Sequence, residues 1–60
     1  MKKLKEIREN AGLSRRELSR LIGFKEARYG HYENGRRELP VSIAKKIGRV
    51  LEINWWEIYE

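Results

Sequence analysis

Apolar residues recur along this chain at helical intervals and never alternate over a useful length, which predicts an all-α protein with no β-hairpin. Met1, Leu4, Ile7 and Ala11 mark a first helix over about Lys2 to Ala11, ended by Gly12. Leu18, Leu21 and Ile22 share one face of a second, about Arg15 to Ile22. Phe24, Tyr29 and Tyr32 are the apolar positions of a third, about Glu26 to Asn34. A fourth starts near Pro40, whose fixed φ suits a first helical position. Its buried stripe is Ile43, Ala44, Ile47, Val50 and Leu51, with Lys45, Lys46 and Arg49 off the stripe. Gly48 beside that stripe is small enough to let another helix come close. A short fifth helix, Trp55 to Tyr59, turns Trp55, Ile58 and Tyr59 inward and leaves Trp56 facing out.

The polar residues between these patterns punctuate them. Ser14-Arg15-Arg16-Glu17 is a capping box, in which the Ser14 hydroxyl accepts the Glu17 amide and Glu17 reaches back, with Leu13 and Leu18 as a hydrophobic staple. Gly23 supplies the positive φ that ends the second helix, and Asn34-Gly35 stops the third. Two helices this short, joined by about three residues, read as a helix-turn-helix. Asn54 and Glu57 repeat the capping box, with Ile53 and Ile58 as its staple. The third helix is the local exception. Lys25 holds the N-cap position, where Ser, Thr, Asp or Asn would accept an amide. Gly30 sits mid-helix at a cost of about 1 kcal/mol relative to Ala. Either tertiary packing overrides these choices, or the positions serve what they touch.

Charge changes the picture next. Fourteen Lys and Arg face nine Asp and Glu, a net of +5. Residues 1–51 hold all fourteen bases and six acids, a net of +8, whereas Glu52, Glu57 and Glu60 leave the last nine residues at −3. A basic body with an acidic tail suggests a polyanionic partner and a separate surface held away from it. Basic residues also simply solvate helices, and the Lys2–Glu6 and Lys5–Glu9 pairs fit a solvated face. Sixty residues make one domain, residues 1–60, of marginal stability. With no Cys, disulfides and Cys-based zinc sites are excluded. No apolar run approaches the ~18 residues of a membrane span and no signal peptide is present, which predicts a cytoplasmic protein.

The order of parts resembles the lambda-repressor and Cro type of helix-turn-helix domain, the xenobiotic-response-element group of regulators. The resemblance rests on Leu13-Ser14, Glu17-Leu18, Gly23, Tyr32-Glu33-Asn34-Gly35-Arg36-Arg37, Leu39-Pro40, Lys46-Ile47 and Ile53-Asn54, and spans essentially the whole chain. It implies a five-helix, all-α DNA-binding fold of bacterial, archaeal or phage origin. Three positions depart from the pattern: Ser19 stands where Ala is usual, Arg15 replaces a Gln, and Tyr29 replaces a branched aliphatic. The Ser19 hydroxyl then needs a partner such as a backbone carbonyl, and the Tyr29 hydroxyl must reach an edge.

The resemblance further implies that the third helix enters the DNA major groove while the second lies across the backbone. Lys25, Glu26, Ala27, Arg28 and His31 are then the candidates for base edges. Arg28 or Lys25 would donate to guanine, Glu26 would accept from a cytosine amino group, and Ala27 would meet a thymine methyl. Glu26 has the competing role of complementing the helix dipole, and Arg28 that of holding a phosphate. Gly30 would allow a close backbone approach to DNA. Phosphate contacts fall to Arg15 and Arg16 at the start of the second helix and to Asn34, Arg36 and Arg37 after the third. Arg36 and Arg37 have the alternative of pairing with Glu33 and Glu38.

Trp56 is the candidate dimer anchor, since an exposed Trp is typical of an interface; its alternative is to cover the edge of the fourth helix. The resemblance implies a homodimer on a palindromic operator, most simply a repressor. An antitoxin that binds a toxin as well as its own operator, or the DNA-binding head of a longer regulator, would use the same fold. No nucleophile with a base, carboxylate pair or metal constellation points to an enzyme. His31 is the only histidine, without Cys, Asp or a second His nearby to share a metal, and no cofactor or small-molecule ligand is implied.

Overall fold

Four α-helices and one 3-10 helix make up the chain in a computed structural model that describes all 60 residues, Met1–Glu60. They are α1 Lys2–Asn10, α2 Arg15–Ile22, α3 Glu26–Glu33, α4 Val41–Leu51 and the 3-10 helix Trp55–Tyr59. The all-α architecture agrees with the periodicity, but the fifth element is a 3-10 helix and not a fifth α-helix. At five residues it is too short to gain much from α-type propagation. Pro40 is the N-cap of α4 and not its first residue. Its carbonyl accepts the Ile43 and Ala44 amides, each at 3.0 Å.

The capping box sets α2 as read from the sequence. The Glu17 amide donates to Ser14 Oγ at 3.1 Å and the Ser14 amide to Glu17 Oε1 at 2.8 Å. The Ser14 amide, then its hydroxyl, hold the exposed Glu17 carboxylate below its ordinary pKa. At the other end, Gly23 at φ 81° lets the Phe24 amide return to the Ser19 carbonyl at 2.9 Å and its own amide to Arg20 at 3.2 Å. This is a Schellman motif, and it turns the chain directly into α3. At the end of α3, Gly35 at φ 78° does the same, with the Arg36 amide on the His31 carbonyl at 2.9 Å. The Asn-Gly-Arg segment is therefore the cap of α3. In the 3-10 helix, Glu57 reaches back to the Asn54 amide at 3.2 Å.

The core is formed by Leu4, Leu18, Ile22, Tyr29, Tyr32, Leu39, Ile43, Ala44, Ile47 and Ile58, with Phe24, Leu51, Ile53 and Trp55 packed against it. Three assignments of the apolar pattern change. Leu21 is 55% exposed, because α2 turns Leu18, Ser19 and Ile22 to the core. Val50 lies on the surface, with Gly48 taking the inner position on α4. Tyr59 is 44% exposed and only its hydroxyl is tied down, donating to the Leu39 carbonyl at 2.6 Å. Ser19 is buried and donates to the Arg16 carbonyl at 2.8 Å, the partner its hydroxyl required. Gly48 gives the close approach expected of it. A Cβ there would lie 3.0 Å from the Ile53 carbonyl oxygen and from Trp55 Cβ.

A buried ion pair joins the ends of the fold. Arg8 of α1 donates through Nε to Glu33 Oε2 and through Nη2 to Oε1 of α3, both at 3.0 Å, while Nη1 donates to the Leu13 carbonyl at 2.7 Å. Burial opposes the Glu33 charge, but the Arg8 hydrogen bonds and charge outweigh it and keep the carboxylate below its ordinary range. Tyr29 ends beside this pair. Its hydroxyl is buried and has no hydrogen bond, so it does not reach an edge as expected. Burial, then the neighbouring carboxylate, push the phenol pKa up.

Three outcomes follow from this packing. Gly48→Ala lowers the denaturation midpoint, since an overpacking cost of about 1–3 kcal/mol exceeds a propensity gain of about 1 kcal/mol. Glu52 is the only non-glycine residue at positive φ, 57°, so Glu52→Gly raises the midpoint, the unfolding free energy gaining up to about 1 kcal/mol. Because the folded Glu33 pKa is depressed, its contribution is fully present above about pH 4.3 and is lost as pH falls through the folded value. Arg8→Met costs about 3 kcal/mol and reverses that sign: Glu33, now buried and unpaired, makes the variant more stable on mild acidification. Urea titrations across pH read both slopes.

Candidate nucleic-acid interface

Helical geometry divides the surface of α3. Tyr29, Tyr32 and Glu33 point inward, while Lys25, Glu26, Ala27, Arg28 and Asn34 are exposed and His31 is half-buried. At about 100° per residue, Ala27, His31 and Asn34 occupy one continuous outer arc. Gly30 and Arg28 bound that arc on opposite sides, about 160° apart around the axis. The outer face is thus narrow, with Ala27 and His31 at its middle.

Each border carries a cation. On one side the Arg15 guanidinium, from the first turn of α2, lies against Gly30. A Cβ added to Gly30 would meet Arg15 Nη1 at 3.8 Å. Gly30 is consequently buried and offers no bare backbone for a close DNA approach, contrary to that reading of the glycine. Arg15, Glu26, Ala27, Gly30, His31 and Asn34 together line a shallow open depression. The structure therefore brings Arg15 together with three of the five base-edge candidates, Glu26, Ala27 and His31. Arg16 is exposed one position further along α2.

On the other side, Arg28 folds back on α3. Its Nε donates to the Tyr32 hydroxyl at 3.2 Å and its guanidinium sits 4.6 Å from the Phe24 ring centroid. These two anchors hold it at the rim of the outer face, apart from Ala27 and His31. Lys46 of α4 approaches the same ring, its Nζ 5.3 Å from the centroid. The sequence marked Lys46 only by its place off the buried stripe and in the Lys46-Ile47 segment of the resemblance, neither of which points to Phe24. A cation one helix away and facing the Phe24 position would have been the only clue.

Lys25 is the N-cap of α3, and its ammonium, a donor only, makes no capping bond to the first α3 amides. Glu26 supplies the acidic group of that first turn, where it complements the positive end of the helix. Asn34, Arg36 and Arg37 are exposed around the Schellman turn, and neither arginine pairs with Glu33 or Glu38. Glu33 is committed to Arg8. Trp56 is 52% exposed on the outer side of the 3-10 helix, stacked edge-on against Trp55 at 5.7 Å. It lies on the element that carries the acidic tail, not on the α3 face.

No helix is long and apolar enough to cross a membrane. Neither the curated proteins nor the solved structures contain a match to the chain. Residues 4–55, from the first buried leucine of α1 to the start of the 3-10 helix, match the family described as helix-turn-helix. With α2 and α3 joined at Gly23 and the outer face of α3 bordered by cations, the chain belongs to the Cro/C1-type helix-turn-helix family of DNA-binding transcription regulators.

Proposed function

We propose that residues 1–60 form one DNA-binding domain that reads a palindromic operator in the cytoplasm as a homodimer, acts as a repressor by occupying that site, and performs no catalysis. The observation that carries this reading is the outer arc of α3: a narrow exposed face with cations on both borders. An α-helix of about 10–12 Å diameter fills a major groove about 12 Å wide. Cations on both sides of it then meet the phosphates that line the groove. Ala27 and His31 face the base edges at the centre. Glu26 and Lys25 reach them from the N-terminal turn, with Glu26 accepting from a cytosine amino group. Arg15, Arg16, Asn34, Arg36 and Arg37 hold phosphates and set the register. Arg28, drawn aside by Phe24 and Tyr32, fits a phosphate better than a base.

Dimerisation is assigned to Trp56. Its exposed ring on an acidic segment supports a contact with a second copy away from the DNA, as a desolvated aromatic anchor would make.

Selection from a random duplex pool tests the reading as a whole. It is expected to recover a two-fold symmetric motif with half-site centres about 10–10.5 base pairs apart; a pool without enrichment would overturn it. Glu26→Gln is expected to change preference at one half-site position by about 1–3 kcal/mol with the melting temperature nearly unchanged. A change in melting temperature alone would assign Glu26 to the helix dipole. Trp56→Glu leaves a folded chain but weakens palindrome binding and shifts sedimentation equilibrium toward monomer. A mass and affinity equal to those of the parent would remove Trp56 from the interface.

A further inference from the structure

Phe24 sits at the α2–α3 turn, half-buried, with two cations on its ring from two different helices. Arg28 is 4.6 Å and Lys46 5.3 Å from the centroid, so the two charges are no more than about 10 Å apart. At the upper end of that range, beyond the screening length of about 8 Å at physiological ionic strength, two exposed charges repel only weakly and can share one anion at little cost. No carboxylate pairs with either cation. The only ion pair in the molecule is Arg8–Glu33. Arg28 spends its Nε–H on Tyr32, which leaves the four Nη hydrogens free, and the Lys46 ammonium has no hydrogen-bond partner. Two fixed, unneutralised cations held by one aromatic ring form a site for a compact anion with several acceptor oxygens, which a phosphate supplies.

Position decides which phosphate. The Phe24 cluster borders the outer arc of α3 on the side opposite Arg15, and it sits by the helix's N-terminal turn. If α3 lies in the major groove, the Arg15 border faces one DNA strand and the Phe24 border faces the other. We propose that Arg28 and Lys46, gathered on Phe24, clamp a duplex phosphate on the strand across the groove from the one held by Arg15. This rests on the reading of α3 as the groove helix. It adds α4 to the DNA-binding surface through Lys46, a residue otherwise no more than a solvated lysine. Phe24 gains a role beyond packing, as the platform that aims both cations.

Lys45 is the internal control. It neighbours Lys46 on α4 but lies over Trp55, with Nζ 5.7 Å from that ring. Binding of the full chain to the selected duplex is measured against salt for the parent, Lys46→Gln, Arg28→Gln and Lys45→Gln. Lys46→Gln is expected to weaken binding about three- to tenfold on every sequence and to reduce the log–log salt slope by about 1. Lys45→Gln is expected to change affinity less than about twofold. Thermal melts keep the test from resting on folding, since a cation that merely packs on Phe24 would move the melt and leave the slope alone. Neutral methylphosphonates placed singly along each strand locate the contact: the phosphate to which Lys46→Gln is indifferent falls on the strand opposite the one to which Arg15→Gln is indifferent.

A parent-like slope for Lys46→Gln, or both insensitive phosphates on one strand, overturns the clamp while the groove reading stands. Competition by inorganic phosphate, at ionic strength matched with chloride, that is lost in Lys46→Gln would show a free-anion site and overturn the assignment to DNA. A parent chain without salt-dependent duplex binding overturns the groove reading and the clamp together.

Discussion

The bidentate pair between Arg8 and Glu33 is the constraint on which the rest of the molecule depends. A chain of sixty residues buries little apolar surface, and a buried ion pair is stabilising only where geometry is good and remaining donors are satisfied. Here the geometry is bidentate and a third donor is used as well, Nη1 of Arg8 meeting the Leu13 carbonyl just before α2. One guanidinium thus ties together α1, the turn that launches α2, and the last residue of α3. The angle between the two helices of the motif is set from behind, by a group that never meets the outer face. Tyr29 packs into the same place and leaves a hydroxyl unbonded, a cost the fold bears to keep that corner filled.

From this anchor the outer surface follows. Glu33 points inward, so the arc of α3 opposite it points outward, and Ala27 and His31 stand at its centre. Arg15 lies over Gly30 and Arg28 with Lys46 over Phe24, so each border of the arc has a cation in place before any ligand arrives. Such pre-positioning lowers the ordering cost of binding. Gly30 costs helix propensity and is buried beneath the Arg15 guanidinium, yet a Cβ there would meet Arg15 only at 3.8 Å, an ordinary contact, so nothing in the packing explains the glycine.

Elements defined by local chemistry were legible in the chain itself. The Ser14–Glu17 box and Gly23 place α2 at Arg15–Ile22 without help from packing, and Asn34-Gly35 stops α3 within one residue. Interactions between distant positions were not. Arg8 and Glu33 are 25 residues apart; nothing singles out Arg8, and Glu33 reads as part of the Tyr32–Arg37 segment and as an alternative partner of Arg36 and Arg37. The same holds for Lys46 and Phe24, which meet only because α4 packs back along the motif. Leu21 and Val50 carry the right residue type at the right spacing, yet face solvent: periodicity gives a stripe about one residue too wide when a short helix has small residues such as Ser19 and Gly48 to turn inward instead. The aromatic end shows the same limit, since Tyr59 anchors by its hydroxyl and leaves its ring half outside.

The outer arc of α3, with a cation on each border, is the surface proposed to meet duplex DNA. Backbone amide chemical shifts followed through a titration with duplex test it most directly. Changes are expected at Lys25 to His31, at Arg15 and Arg16, and at Lys46, with Asn10, Ala11, Leu51 and Ile53 on the far side unmoved. Changes centred on that far side, with α3 silent, would contradict it.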